Sequence, residues 1–224
     1  MEPNAKLLEN IRKVEPYVPG EQPQEKVIKL NTNENPYPPA PGVLEALKYL
    51  DTDRLRLYPD PASGTLVEAL AEYYGVSREQ VFVGVGSDDV LSMCFLTFFN
   101  SKKPILFPDI TYSFYKVWAG LYRIPYEFPE LDENFRILKA DYYRENGGII
   151  FPNPNAPTAI YEELDFVEDI LAHNRDSIVI VDEAYVDFGA ESCVPMISRY
   201  DNLLVTPTMS QSRYLAGGRG GSAL

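Results

Sequence analysis

Ile178-Val179-Ile180-Val181-Asp182-Glu183-Ala184-Tyr185 is the stretch that decides the fold class of this chain. Four apolar, β-branched residues in a row read as a strand buried on both faces, and the polar residues after them end it. Outward from this octapeptide, similar short apolar runs stand at 81–85, 105–107, 124–128, 149–151 and 203–205. Helical periodicity occupies the intervals at about 88–99, 112–121, 162–173 and 194–199. Apolar strands alternating with amphipathic helices predict an α/β domain, a mostly parallel sheet with helices on both faces. The glycine-rich stretch 217–224 carries no strand signal.

The 224 residues suffice for one ordinary domain with a sizeable core. Hydrophobic residues make up 45% and charged residues 24%, a globular composition. Twenty Lys+Arg against 33 Asp+Glu leave a net charge of −13, which argues against nucleic acid or an anionic membrane surface as a partner. No apolar run nears the ~20 residues a membrane span needs. The first residues lack the apolar segment of a signal peptide, so a cytoplasmic location is expected. Cys94 and Cys193, each in apolar sequence, are expected to be free buried thiols. Residues 1–40 are Pro-rich, with one short amphipathic stretch at Leu7, Leu8, Ile11 and Val14, and read as an arm packed on another body. The domain proper then runs over 41–224. Pro41 opens a helix through Val43, Leu44, Leu47 and Leu50. Ser63 is expected to cap the next, with Leu66, Leu70, Tyr73 and Tyr74 facing inward.

Open α/β sheets bind ligands beyond the carboxyl ends of their strands. At those ends stand Gly86-Ser87-Asp88, Pro108 to Tyr112, Asn153-Pro154-Asn155, Asp182 to Tyr185 and Thr208-Met209-Ser210. Glycines at 84 and 86 would let the backbone approach a phosphate, and the following helix start offers free N–H donors. An ordinary turn capped by Ser87 fits the same residues, and Asp89 stands where a dinucleotide fingerprint needs its third glycine. Asp182 could hold a protonated ring nitrogen, with the Tyr185 phenol reaching a ring hydroxyl. Metal chelation by Asp182 and Glu183 is disfavoured, because His173 is the sole histidine and no further carboxylates converge. Tyr112 could stack on a planar group, and Ser210 and Arg219 could grip a phosphate; each has an ordinary surface reading too. The run 152–159 is dense in turn formers, and a plain turn explains it.

Taken together, these pieces resemble one family. Leu30-Asn31-Thr32-Asn33-Glu34-Asn35-Pro36 is similar to its L-N-x-N-E-x-P arm, and Leu57-Tyr58-Pro59-Asp60 to its R/L-Y-P tetrapeptide. Gly86-Ser87-Asp88-Asp89 resembles G-[SA]-D-E, Asn153 to Thr158 resembles N-P-N-x-P-T-G, and Val181 to Tyr185 contains D-E-A-Y. The run Thr208-Met209-Ser210-Gln211-Ser212-Arg213-Tyr214-Leu215-Ala216-Gly217-Gly218-Arg219 resembles the T-x-S-K-x-x-x-L-A-G-x-R loop of fold-type I aminotransferases, which use pyridoxal phosphate. The histidinol-phosphate aminotransferases are the nearest subgroup by motif. The resemblance implies a pyridoxal-phosphate-binding large domain in a homodimer. It places Asp182 on the pyridine nitrogen, Tyr185 on the ring hydroxyl, Tyr112 on the ring face and Asn155 beside the ring. Ser87, Asp88, Ser210 and Arg219 would hold the phosphate, and Tyr58 would reach the cofactor of a second subunit. The implied reaction moves an amino group from an amino acid or histidinol phosphate to a 2-oxo acid, by ping-pong chemistry.

The departures cluster late in the chain. Gln211 stands where the family's lysine forms the Schiff base and carries the proton; a neutral amide does neither. No lysine follows Lys139. Ala159 replaces the glycine of P-T-G, and Gly218 and Gly220 stand where larger apolar residues are usual. The family also continues beyond the equivalent of Leu224 with the rest of the large domain and a small domain. The expectation is therefore an aminotransferase impaired at the lysine step. The alternatives are a non-catalytic pyridoxal-phosphate-binding protein and an inactive remnant. Aromatic amino acid aminotransferases and threonine-phosphate decarboxylases share the same motifs.

Overall fold

The structure, a computed structural model, describes Glu9, Ile11, Arg12, Gly20 and residues 24–224. Leu7, Leu8 and Val14 of the expected amphipathic stretch lie outside the described residues. The strands are β1 (Phe82–Val85), β2 (Ile105–Leu106), β3 (Tyr126–Glu127), β4 (Ile149–Pro152), β5 (Val179–Asp182), β6 (Leu203–Thr206) and β7 (Gly220–Ala223). Among residues 24–224 the α-helices are α1 (Pro41–Lys48), α2 (Gly64–Tyr74), α3 (Ser87–Phe98), α4 (Phe114–Tyr122) and α5 (Leu164–His173). Five strands pair in parallel in the order β3-β2-β4-β5-β6, while β1 and β7 pair antiparallel. Val205 and Leu224 exchange both backbone hydrogen bonds, at 3.0 and 2.9 Å, and Thr208 bridges Gly221. Those contacts tie the pair to the edge of β6, so β7 lies between β6 and β1.

Side chains of successive strand residues go to opposite faces, and both faces are covered. Ile149, Phe151, Val179, Val181 and Val205 pack on one side with Val167, Ile170 and Leu171 of α5. Ile150 and Ile180 pack on the other with Val90, Leu91 and Phe95 of α3 and Tyr115 and Ala119 of α4. Ile149, Ile150, Val179, Ile180 and Val181 are all fully buried, each worth roughly 1.5–3 kcal/mol. The unbroken apolar run at 178–181 is thus the record of a strand with no solvent side. Cys94 and Cys193 are free and buried, as expected. Among the described residues, no helix is long and apolar enough to cross a membrane.

Several local expectations are corrected. The glycine-rich tail holds a strand, β7, whose shape comes from its partners on either side and not from its own residues. The expected strand at 124–128 is a strand only over Tyr126–Glu127, and the expected helix at 194–199 is a single 3-10 turn, Val194–Met196, with Pro195 inside it. Ser63 precedes α2 with φ +48° and makes no capping bond. Asp60 supplies that function, accepting from the Gly64 N–H at 2.8 Å and the Ala62 N–H at 3.0 Å. Leu66 and Tyr73 are exposed, while Val67, Leu70 and Ala71 form the buried side of α2.

Candidate functional site

A cleft of about 200 Å³ opens where the carboxyl ends of β4 and β5 meet the start of α3. Ser87, Asp88, Tyr112, Asp182, Tyr185, Ser210, Gln211 and Arg219 line it, with Pro152, Ala156, Ala184, Thr208 and Ala216. A larger groove of about 580 Å³, lined mainly by apolar residues such as Phe82, Met93, Phe98 and Leu224, lies elsewhere and gathers no comparable set of polar groups.

The β1–α3 turn makes one wall. Gly86 has φ +91°, which calls for glycine, and a Cβ there would sit 2.6 Å from Arg219 Nη2, so any side chain would have to push the flexible guanidinium aside. A Cβ on Gly221 would likewise fall 2.6 Å from the Gly86 carbonyl carbon. These two glycines let β7 close on the turn and bring Arg219 over the start of α3, where its Nη2 donates to the Val85 carbonyl at 3.2 Å. The first-turn amides of α3 have no acceptor within the helix, and its dipole favours negative charge there.

The opposite wall comes from the end of β5. Asp182 is buried, accepting from the Tyr115 hydroxyl at 2.8 Å and the Ala184 N–H at 3.2 Å. Burial pushes its carboxyl up to about 6, the two hydrogen bonds oppose that, and the Asp88 charge adds to it. Asp88 in turn accepts from the Tyr112 hydroxyl at 2.7 Å. Glu183 lies outside the cleft, accepting from Ser192 Oγ at 2.6 Å and the Cys193 N–H at 2.5 Å. Its burial raises its carboxyl to about 7.

The arm crosses the mouth of the cleft. Asn33 Nδ2 donates to the Tyr185 hydroxyl at 2.8 Å, and Asn35 Nδ2 donates to the Gln211 carbonyl at 3.2 Å. The Gln211 side chain lines the cleft and makes no hydrogen bond to the described residues, and no lysine is among the lining residues. Ser210 is held by Thr208, whose Oγ1 donates to Ser210 Oγ at 3.0 Å.

Eight of the ten residues singled out from the sequence meet in this one cleft. Asn155 does not line it. Its amide is consumed by the Ile110 carbonyl and Thr158 Oγ1, both at 3.0 Å, and its oxygen accepts from Thr111 at 2.9 Å; Ala156 takes the lining position. Tyr58 is fully exposed in the single chain and lies outside the cleft. Tyr115, Asn33, Asn35 and Thr208 were not singled out. Tyr115 stands three residues after Tyr112 in the segment 112–121 expected to be helical, which begins at Phe114 in the structure; that spacing was the available signal.

The family model for aminotransferase class I and II matches residues 25–224. The histidinol-phosphate aminotransferase of Pseudomonas entomophila is 56% identical over 216 residues, covering 96% of this chain and 62% of the relative. That of Clostridium acetobutylicum is 55% identical over 217 residues, with the same coverage of 96% and 62%. Among solved structures, the histidinol-phosphate aminotransferase of Sinorhizobium meliloti in complex with pyridoxal-5'-phosphate aligns with TM-score 0.78 at 23% identity, over 86% of this chain and 55% of that one. A solved structure of a histidinol-phosphate aminotransferase from Clostridium acetobutylicum aligns with TM-score 0.75 at 22% identity, over 86% of this chain and 58% of that one. The chain therefore spans about 62% of the length of the curated relatives it matches.

Proposed function

Because the chain belongs to the class I and II aminotransferases, we propose that its cleft holds pyridoxal phosphate without a covalent bond and is impaired in amino-group transfer. One observation carries this reading: nine polar residues converge on the cleft, yet the one at position 211 is glutamine and no lysine lines it. The donor set suits the cofactor everywhere except at that anchor. Asp182 would hold the pyridine nitrogen and Tyr185 the ring hydroxyl. Tyr112 would lie against the ring. The first turn of α3, Ser210 and Arg219 would hold the phosphate, beside Gly86, where an added Cβ would crowd the Arg219 guanidinium at 2.6 Å.

When bound, pyridoxal phosphate supplies an electron-accepting ring for bonds at an amino-bearing carbon. The chain's own part is to bind and orient. A carboxylate held ionised by two donors fixes one end of the ligand, a cation and helix start fix the other, and the Asn33 bond orients the Tyr185 phenol between them. The Gln211 amide can accept or donate a hydrogen bond but cannot take up the proton that a lysine amine would carry. Relatives at 55–56% identity bear the name histidinol-phosphate aminotransferase, which supports histidinol phosphate or an amino acid as the donor and a 2-oxo acid as the acceptor in an active form.

We further infer a homodimer built on the arm, with 1–40 as the arm and 41–224 as the body. The exposed Ile28, Leu30, Tyr37, Tyr49, Leu55 and Tyr58 support a second copy covering this part of the chain. Absence of a membrane-crossing helix among the described residues is in keeping with a cytoplasmic place.

Pyridoxal phosphate titration, borohydride reduction and peptide mapping test the reading. The chain should saturate reversibly, lose affinity in Asp182→Ala and carry no reduced adduct, while Gln211→Lys should be labelled at residue 211. No saturation, or an adduct on a lysine of the unaltered chain, would overturn it.

A further inference from the structure

We propose that Tyr115 is a positioning residue for the cleft, keeping Asp182 ionised and turned to face a ligand's ring nitrogen; this rests on the cofactor reading above. Tyr115 lies on α4 and is fully buried, its ring packed edge-on against Phe107 at 5.9 Å and Tyr112 at 5.6 Å. Its hydroxyl has one partner within reach, Asp182 Oδ2 at 2.8 Å, so an apolar wall delivers a single donor to a single carboxylate. An apolar setting could have been filled by phenylalanine, as it is at Phe95 and Phe107 on the same face. Here the one polar atom of the side chain reaches the carboxylate.

The surroundings of Asp182 make that donor consequential. From its own loop only the Ala184 N–H reaches the carboxylate, at 3.2 Å. From α3 come the Asp88 charge, which opposes ionisation, and the buried Cys94 thiol, whose own ionisation Asp182 discourages. Tyr112, Tyr185 and Arg219 share the cleft, and the Tyr112 hydroxyl is engaged with Asp88 at 2.7 Å. Two carboxylates thus face one cleft, and neighbouring tyrosines of one segment each donate to one of them. Loss of the Tyr115 hydroxyl leaves Asp182 with one donor against burial and a like charge, so its proton is held to higher pH.

Tyr115→Phe removes only the oxygen and keeps the ring packing. In the ligand-free protein, ¹³C-carboxyl NMR of labelled aspartate should show the Asp182 midpoint rising above its value in the unaltered chain. Pyridoxal phosphate affinity should fall several-fold near pH 6, with the gap narrowing as pH rises. An unmoved midpoint, or the same affinity loss at every pH, would overturn the proposal, since a purely structural role predicts no pH dependence. Should the variant fail to fold, the ¹³Cζ signal of Tyr115 in the unaltered chain decides: it should track the Asp182 titration, and a flat signal refutes the coupling. Failure of the cofactor reading appears separately, as absent binding in the unaltered chain, and leaves the NMR result standing.

Discussion

Replacing Asp182 by asparagine should stabilise the protein at neutral pH while stripping the cleft of its anchor. Burial raises the Asp182 carboxyl from 3.8 to about 6. A carboxyl that holds its proton more tightly when folded gives stability that is fully present below pH 3.8 and lost as pH rises through 6. At about 1.4 kcal/mol per unit, the loss across that window is about 3 kcal/mol. The asparagine variant would escape it, but its one side-chain oxygen must serve both the Tyr115 hydroxyl and the Ala184 N–H, at a cost of about 1 kcal/mol. The variant should therefore be more stable by about 2 kcal/mol at pH 8 and less stable by about 1 kcal/mol near pH 3.5, with a crossing between. Urea unfolding at pH 8, 6 and 4 measures this directly. Glu183 titrates in an overlapping window, but in both proteins, and so drops out of the difference. A stability difference that stays constant with pH, or never changes sign, would refute the assignment of a buried, costly carboxylate.

Gly86→Ala should lower stability by about 1–3 kcal/mol and weaken pyridoxal phosphate binding more than it weakens folding, because the new methyl displaces Arg219; equal affinity in an equilibrium titration would count against the cradle. Asn33→Ala frees the Tyr185 hydroxyl and should reduce ligand affinity several-fold without changing the stability measured in urea by more than ~0.5 kcal/mol, since the bond lies on an exposed arm. Cys94 and Cys193 should resist a thiol reagent in the native state at pH 8, because burial pushes both up, Cys94 to about 12; rapid labelling without unfolding would contradict the packing. The aminated cofactor, pyridoxamine phosphate, should bind at least as tightly as pyridoxal phosphate, since Gln211 offers an acceptor to an ammonium and no amine to an aldehyde; calorimetric competition favouring the aldehyde form would tell against it.

What could be read from the chain was what each segment writes for itself. Val179, Ile180 and Val181 have no solvent-facing neighbour, so their strand is visible as an apolar run, and α3 and α5 show the spacing of their buried faces. The polar groups at strand ends were legible because the carboxyl edge of a parallel sheet is where side chains converge. β7 was not legible. Gly220, Gly221 and Ser222 have little intrinsic strand preference, and the extended shape is imposed by β1 on one side and by backbone bonds to Val205 and Pro207 on the other. Tyr115 was hidden for a similar reason, since its importance lies in an oxygen 67 positions away along the chain. Asn155 sits in a recognised motif, yet hydrogen bonds to Ile110, Thr111 and Thr158 spend its side chain on holding two loops together.

The placement of β7 also sets an order of events during synthesis. β1 and the start of α3 leave the ribosome early, but the strand that pins β1 to the rest of the sheet, and the Arg219 that drapes over α3, arrive only with residues 219–223. Until then the parallel strands β2 to β6 can associate among themselves, while β1 has no partner among them and the Gly86 turn has nothing closing over it. Such long-range pairings are the slow ones, because the intervening chain must be ordered before they are rewarded. The wall formed by the Gly86 turn and Arg219 is thus assembled later than the rest of the cleft, and a ligand gripped there would reach a nascent chain only after β7 has docked.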